Sequence, residues 1–393
     1  MMLGLLLTRA GVDVVVLEKH ADFLRDFRGD TIHPSTLELM HELGLLEQFL
    51  KLPHQEVTSI GGRFGDKIYR FADFSHLPAI CKFIALMPQW DFLDFIAEQA
   101  RRYPGFQLKM QAEATGLIVE GDRVAGVRAT TPEGPLDVRA MLTVACDGRH
   151  SLLRDKAGLV ADDFGAPMDV LWFRLSRRPD DSMATGGVFD KGRLFVMLNR
   201  GDYWQCAFVI PKGSAEDVRR RGIEQLRAEL ALIEPLVADR VAEITDWKQV
   251  HLLTVTVNRL RQWHRPGLLC IGDAAHAMSP IGGVGINLAV QDAVAAANVL
   301  ADPLYEKRDV TPLLPKVQKR REFPTRATQR LQLAIQNNVI KGALQGAADF
   351  RPPLPLRLMD RFALLRRIPA RLLGLGFRPE HIRTVERVPA PSS

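Results

Sequence analysis

At 393 residues and 47% hydrophobic content, the chain can bury a large core, and its length points to two or more domains. The net charge of +6 suits an anionic cofactor, but the basic residues are scattered and form no nucleic-acid-binding module, so no such partner is expected. Four widely separated cysteines, Cys81, Cys146, Cys206 and Cys270, lack the close pairs of a zinc site and read as buried free thiols, with no metal expected.

The opening MMLGLLLTRAG lacks a basic leader, and no apolar run approaches transmembrane length, which together place the protein in the cytoplasm. Residues 3–10 read as the last turns of a helix closed by Gly11, and residues 12–18, VDVVVLE, as a buried strand ending in Glu18. In a dinucleotide-binding βαβ unit such an acid follows a G-x-G-x-x-G loop by about 20 residues, and counting back from Glu18 passes the amino end. The sequence is therefore expected to begin inside the first helix, without the first strand and its glycine loop. That leaves a neighbouring strand with an unpaired edge and a pyrophosphate without one helix N-terminus.

Residues 31–34 read as a loop, and Ser35 as the N-cap of a short helix with Glu38 at the capping-box position. Short β-like pieces with Gly61, Gly62 and Gly65 fill residues 57–83, an excursion toward a second domain, and Met87-Pro88-Gln89-Trp90 leads into a helix over 91–102. Strands around a Gly121-Asp122 turn predict a hairpin within 108–130. A strand over 140–145 runs into Asp147-Gly148-Arg149 and a helix over 152–157. Residues 164–257 are β-rich with one helical insertion over 215–241. Beyond residue 301 the chain turns helical and basic, with Pro324 kinking or dividing the clearest segment.

The most informative stretch is 268–292, LLCIGDAAHAMSPIGGVGINLAVQD. An apolar strand ends at Gly272 and Asp273, a glycine turn follows at Gly282, Gly283 and Gly285, and Ile286, Val290, Val294, Ala297 and Leu300 recur at helical spacing. A turn of this kind presents backbone N–H groups and the positive end of the helix dipole to an anion, and Asp273 can accept hydrogen bonds from sugar hydroxyls. By themselves these features fit a structural turn equally well.

The wording G-D-A-A-H-A-x-x-P-x-x-G-x-G-x-N closely resembles the second flavin fingerprint of the class A FAD-dependent aromatic monooxygenases, those with the para-hydroxybenzoate hydroxylase type of fold. Residues 147–154, D-G-R-x-S-x-x-R, resemble the same family's Asp-Gly motif. The resemblance implies that Asp273 binds the ribityl or pyrophosphate part of FAD and that Pro280 lies beside the flavin ring. Gly282, Gly283, Gly285 and Asn287 would face the pyrimidine edge. It further implies Glu18 on the adenosine ribose, Arg28 near the phosphates and Gln89 on the flavin side chain. Asp147 would hold its turn, with Arg149 or Arg154 offering charge to the FAD or NAD(P)H pyrophosphate. His276 reads as a residue that orders its loop, and no essential catalytic side chain is identified.

The implied fold is α/β. A Rossmann-like FAD-binding domain takes residues 1–58, 86–163 and 262–330, and a β-sheet substrate domain takes 59–85 and 164–261. A C-terminal helical segment over 331–385 and a flexible tail over 386–393 follow. Phe173, Tyr203, Gln205 and Phe208 are candidates for lining the substrate pocket. The implied activity is oxygenation of an aromatic or other electron-rich small molecule by NADH or NADPH and O2, through a flavin C4a-hydroperoxide. A reductase or dehydrogenase without oxygen transfer and a truncated, flavin-free binding remnant stay open as alternatives, as does the choice between monomer and homodimer.

Overall fold

Successive side chains of a strand point to opposite faces, and along residues 168–211 this alternation builds the middle of a seven-stranded sheet. A computed structural model describes residues 1–24, 31–181, 185–190, 192–344 and 352–387. The strand order is His251–Leu253, Met168–Ser176, Tyr203–Pro211, Arg193–Asn199, Gly186–Asp190, Ser59–Phe64 and Lys67–Asp73. Neighbours are antiparallel except Gly186–Asp190 and Ser59–Phe64, which run parallel. The sheet thus draws on chain segments more than 90 residues apart, from 59–73 and from 168–253.

One face carries Leu171, Phe173, Leu175, Phe195, Cys206 and Phe208 into a core closed by Val218, Leu226 and Leu230 of the helices Ala215–Arg221 and Ile223–Ile233. Phe173 and Phe195 stack there with ring centroids 6.1 Å apart. The opposite face turns Val170, Trp172, Val196, Leu198, Ala207 and Val209 toward a cavity.

The parallel layer comes in two pieces. Val14–Leu17 pairs with Phe106–Lys109, and Thr143–Ala145 with Leu268–Cys270. Among the described residues no strand joins the two pairs. The helix Met2–Arg9 begins between them: burial lowers the pKa of the Met1 amine, and Cys146 and Glu18, at the carboxyl ends of the two inner strands, act on it electrostatically in the other direction. Behind lies the long helix Gly285–Tyr305, packed against Met2–Arg9 and Leu314–Ile335. By length and composition residues 281–305 match a membrane span, contrary to the expectation that no run comes near one; 67% of the most apolar window is buried, which makes this alanine-rich segment a core helix.

Other local expectations give way to the structure. The helix Pro34–Glu42 starts after His33 with Pro34 in its first turn, so Ser35 sits inside it, and Glu38 accepts a hydrogen bond from the Ile80 N–H at 3.2 Å. The fixed φ and missing N–H of proline suit that first position. Leu314–Ile335 is one helix that Pro324 does not divide, and it continues through residue 330, where a domain boundary was expected. The tail is anchored at its start: the Tyr103 hydroxyl donates to Glu386 at 2.8 Å and the Arg387 N–H donates to the Arg9 carbonyl at 3.0 Å.

The helices Leu354–Arg361 and Arg367–Gly374 pack over the edge strand Lys67–Asp73, where Asp360 pairs with Lys67 at 3.1 Å. Because Phe173 is fully buried in the far core, Phe173→Ala is expected to cost about 3–5 kcal/mol of stability in urea denaturation while leaving FAD affinity unchanged.

Candidate functional site

A cavity of about 1650 Å³ runs from the carboxyl ends of the parallel strands to the inner face of the seven-stranded sheet. Crevices at that end of a parallel sheet are where open α/β folds bind their ligands. Met1, Lys19, His20, Cys146 and Gly148 line one end. Of the residues expected from the sequence, Gln89, Asp147, Arg149, Asp273, Pro280, Gly282, Gly283 and Gly285 all reach this wall.

Asp273 follows the strand Leu268–Cys270 in a single helical turn, and its Oδ2 lies 3.6 Å from the Arg149 guanidinium. This pair joins the two motifs at one point of the wall. Asp147 accepts from the Ser151 hydroxyl and, at 3.1 Å, from the Leu153 N–H, so it holds the turn before the helix Leu152–Lys156. Gly148 has φ +87° and open space where a Cβ would stand, leaving room for a ligand against the backbone. Gly283 is constrained differently: a Cβ there would come 2.2 Å from the Thr31 hydroxyl, which donates to the Gly283 carbonyl at 2.8 Å. The helix that follows starts without a side-chain cap, with Gly285 and Ile286 on the cavity wall. Its positive end is therefore available to negative charge in the cavity.

Asn287 does not line the wall. Its Oδ1 accepts from the His33 N–H and the Thr36 hydroxyl, both at 2.8 Å, and its Nδ2 donates to the Thr31 carbonyl at 2.9 Å. The side chain braces the glycine turn against the helix Pro34–Glu42. Arg154 is likewise a brace, donating to the Ala274 carbonyl at 3.5 Å and the Arg149 carbonyl at 3.3 Å from a buried position. Glu18 accepts from the His20 N–H at 3.0 Å beside the wall formed by Lys19 and His20. Arg28 lies outside the described residues.

The four substrate-pocket candidates are not on the wall. Phe173 and Phe208 point into the core on the other face of the sheet. The guanidinium of Arg174 covers the Tyr203 ring at 4.7 Å, and Gln205 accepts from Arg200 at 2.9 Å. Their cavity-facing neighbours are Trp172, Ala207 and Val209. A strand pattern reveals alternation but not which face meets a ligand, so for Phe173 and Phe208 a choice one residue off selects the wrong side; Tyr203 and Gln205 share the face of Ala207 and Val209 but are held by arginines and do not reach the cavity.

The residue that sequence reading passed over is Asp292. Its Oδ2 accepts from the Gly272 N–H at 3.1 Å and lies 2.5 Å from His276 Nε2, and its Oδ1 accepts from Arg321 Nε at 2.9 Å. All three side chains are almost fully buried. Burial pushes the Asp292 pKa up, but His276 and Arg321 outweigh that and hold the carboxyl below its usual range. His276 also packs on Trp263 at 4.9 Å, so it orders the loop, as expected. The available signal was a single carboxylate in the apolar run 288–301, which needs a partner when buried. Cys146 is a second correction: it is exposed to the cavity rather than packed away, and its enclosure within the protein pushes the thiol up to about 11.

An acid at a strand end, an uncapped helix start and open backbone at Gly148 fit a flavin dinucleotide and mark a fold of the dinucleotide-binding class. The chain belongs to the family described as "FAD binding domain", whose profile matches residues 1–331, and its cofactor is FAD. The 6-methylpretetramide 4-monooxygenase of Streptomyces rimosus is 32% identical over 355 residues, covering 89% of this chain and 84% of that protein. The dialkyldecalin synthase of Streptomyces rugosporus is 26% identical and covers 75% of this chain, which spans 61% of the synthase's length. The anhydrotetracycline hydroxylase OxyS from Streptomyces rimosus superposes with a TM-score of 0.74 at 24% identity, over 96% of this chain and 74% of that one. This protein is a FAD-dependent enzyme of the monooxygenase group.

Loss of a charge-assisted contact is worth about 1.5–3 kcal/mol, so Asp273→Ala should weaken FAD binding about 10- to 100-fold in a fluorescence-quenching titration. Asp292→Asn removes the direct charge partner of buried Arg321, leaving it only the longer 3.8 Å approach of Glu380, and should cost up to about 3–5 kcal/mol. Because the folded-state pKa of Asp292 is depressed, its contribution is present above the unfolded value of about 3.9 and fades as pH falls through the folded value. Acid unfolding of Asp292→Asn should therefore lack that part of the pH dependence.

Proposed function

We propose that the protein uses NADH or NADPH and O2 to oxygenate a bulky, mostly apolar aromatic compound held against the seven-stranded sheet. The cavity is the observation behind this reading. Its volume of about 1650 Å³ exceeds the roughly 300–1,000 Å³ of a single drug-sized ligand site, which leaves space for a substrate beside the cofactor. Away from the two motifs its wall is apolar, with Val170, Trp172, Phe189, Val196, Val209 and Leu253, and polar groups are few. The relatives named for 6-methylpretetramide and anhydrotetracycline support a substrate of this bulk.

FAD, when bound, accepts hydride and activates O2. The chain supplies the rest. Asp273 would take the cofactor's hydroxyl groups, Gly148 admits it close to the backbone, and the helix start at Gly285 and Ile286 offsets negative charge. The apolar wall excludes water and orients the aromatic compound, and Gln89 and Arg149 offer polar contacts at the cofactor end. The monooxygenase relatives favour oxygen transfer over a reductase, and membership of the FAD-binding family weighs against a flavin-free remnant. One relative is named as a synthase, so product identity matters more than NAD(P)H consumption.

The deciding measurement follows NAD(P)H oxidation under isotopically labelled O2 with aromatic compounds of graded size. A product carrying one labelled oxygen, with KM for the best compound raised about tenfold by Trp172→Ala, is expected. NAD(P)H turnover that leaves every compound unlabelled would exclude oxygen transfer.

A further inference from the structure

The helices Leu354–Arg361 and Arg367–Gly374 have two apolar sides. Leu356, Met359, Leu365 and Leu372 belong to the cavity wall. On the outside, Leu354 is 62% exposed, Phe362 51%, Leu364 68% and Ile368 59%, a density of bare large side chains matched by no other segment of this length among the described residues. Arg357, Arg361, Arg367 and Arg371 are interleaved with them, all exposed. Residues 354–374 contain five arginines and one acid, Asp360, and that acid is engaged by Lys67 and by the Arg70 N–H. None of the four exposed arginines forms an ion pair with a carboxylate among the described residues.

We propose that this helical pair is a docking surface for an anionic membrane, lying in the lipid interface with its aliphatic side chains at the acyl boundary and its arginines on the phosphates. The two kinds of side chain alternate on one exposed side, and a lipid interface satisfies both. Aliphatic groups sink below the headgroups, while arginine extends its guanidinium back to them. A protein partner would have to cover the same aliphatic groups while burying four guanidinium ions, each needing its own carboxylate. Leu354, Leu358 and Ile368 are exposed and also border the cavity, so the docked face contains the cavity mouth. An apolar compound dissolved in the lipid would meet that mouth without crossing water.

Full-length protein is sedimented with vesicles of equal parts phosphatidylcholine and phosphatidylglycerol, and with vesicles of phosphatidylcholine alone. Binding to the anionic vesicles, falling at high salt, is the expected result. Arg357→Gln and Arg367→Gln should each weaken it about fivefold. The double variant Phe362→Asp, Leu364→Asp should abolish it while its thermal midpoint and FAD affinity stay at wild-type values, since neither side chain belongs to the cavity wall. The proposal is overturned if wild-type protein ignores anionic vesicles, or if the double variant binds them as wild type does. Dimerisation of the wild type that the double variant abolishes, without vesicle binding, would instead identify the face as a contact between two copies.

Discussion

One buried carboxylate holds together the parts that build the cavity wall around Asp273. Asp292 sits on the long core helix, receives the backbone N–H of Gly272 at the end of a parallel strand, and pairs with His276 and Arg321. The strand end that presents Asp273 and the adjoining loop that carries His276 are thereby tied, through the core helix, to the separate helix Leu314–Ile335. The tie extends outward, because Glu380 lies 3.8 Å from Arg321 and 2.7 Å from Arg320. An ion pair this deep adds little net stability over apolar packing, and its value lies in geometry: an unpaired charge there would cost so much that the loop has one arrangement. Asp273 is positioned because the residue before it is held.

Asn287 does the corresponding work for the glycine turn. With its amide bonded to residues 31, 33 and 36, the turn keeps a fixed distance from the helix Pro34–Glu42, and the close approach of Thr31 to Gly283 admits no side chain. The start of the core helix is left uncapped as a result. A helix end buried without partners costs energy unless something else satisfies it, and under the proposed function the open face at Gly285 and Ile286 would turn that cost into preorganisation for an anionic part of the cofactor.

What the sequence made legible follows the reach of each signal. The glycine turn, the strand-end acids Glu18 and Asp273, the turn held by Asp147 and the Gly121-Asp122 hairpin are encoded by residues close together in the chain, and all occur where expected. Asp292 and Arg321 are 29 residues apart, and Asn287 bonds residues more than 250 positions away, so local pattern could signal that Asp292 needs a partner but could name the partner of neither. The substrate wall failed for another reason. Phe173 and Trp172 are equally apolar, and only the docking of the helices at 215–233 on one side decides which of them is left to face the cavity.

The same distinction bears on the two helices over the cavity mouth. Each has eight residues, too few for a stable isolated helix, so their order comes from packing on the edge strand Lys67–Asp73 and from anchors such as His33. Burial pushes the His33 imidazole down to about 4, which keeps it neutral at physiological pH, and a neutral ring facing a carbonyl must donate. Its Nδ1–H therefore holds the Leu373 carbonyl at 2.7 Å irrespective of ordinary changes in acidity. The anchored end is the one nearest the glycine turn, where a Cβ on Gly282 would already strike Leu373 at 2.8 Å. The other end, at Leu354, is exposed, yet its helix is tied to the edge strand by the Lys67–Asp360 ion pair at 3.1 Å and by Asp360 accepting from the Arg70 N–H at 3.3 Å. The two helices are therefore fixed over the cavity from both ends, by an ion pair to the edge strand at Asp360 and by a neutral imidazole on the Leu373 carbonyl.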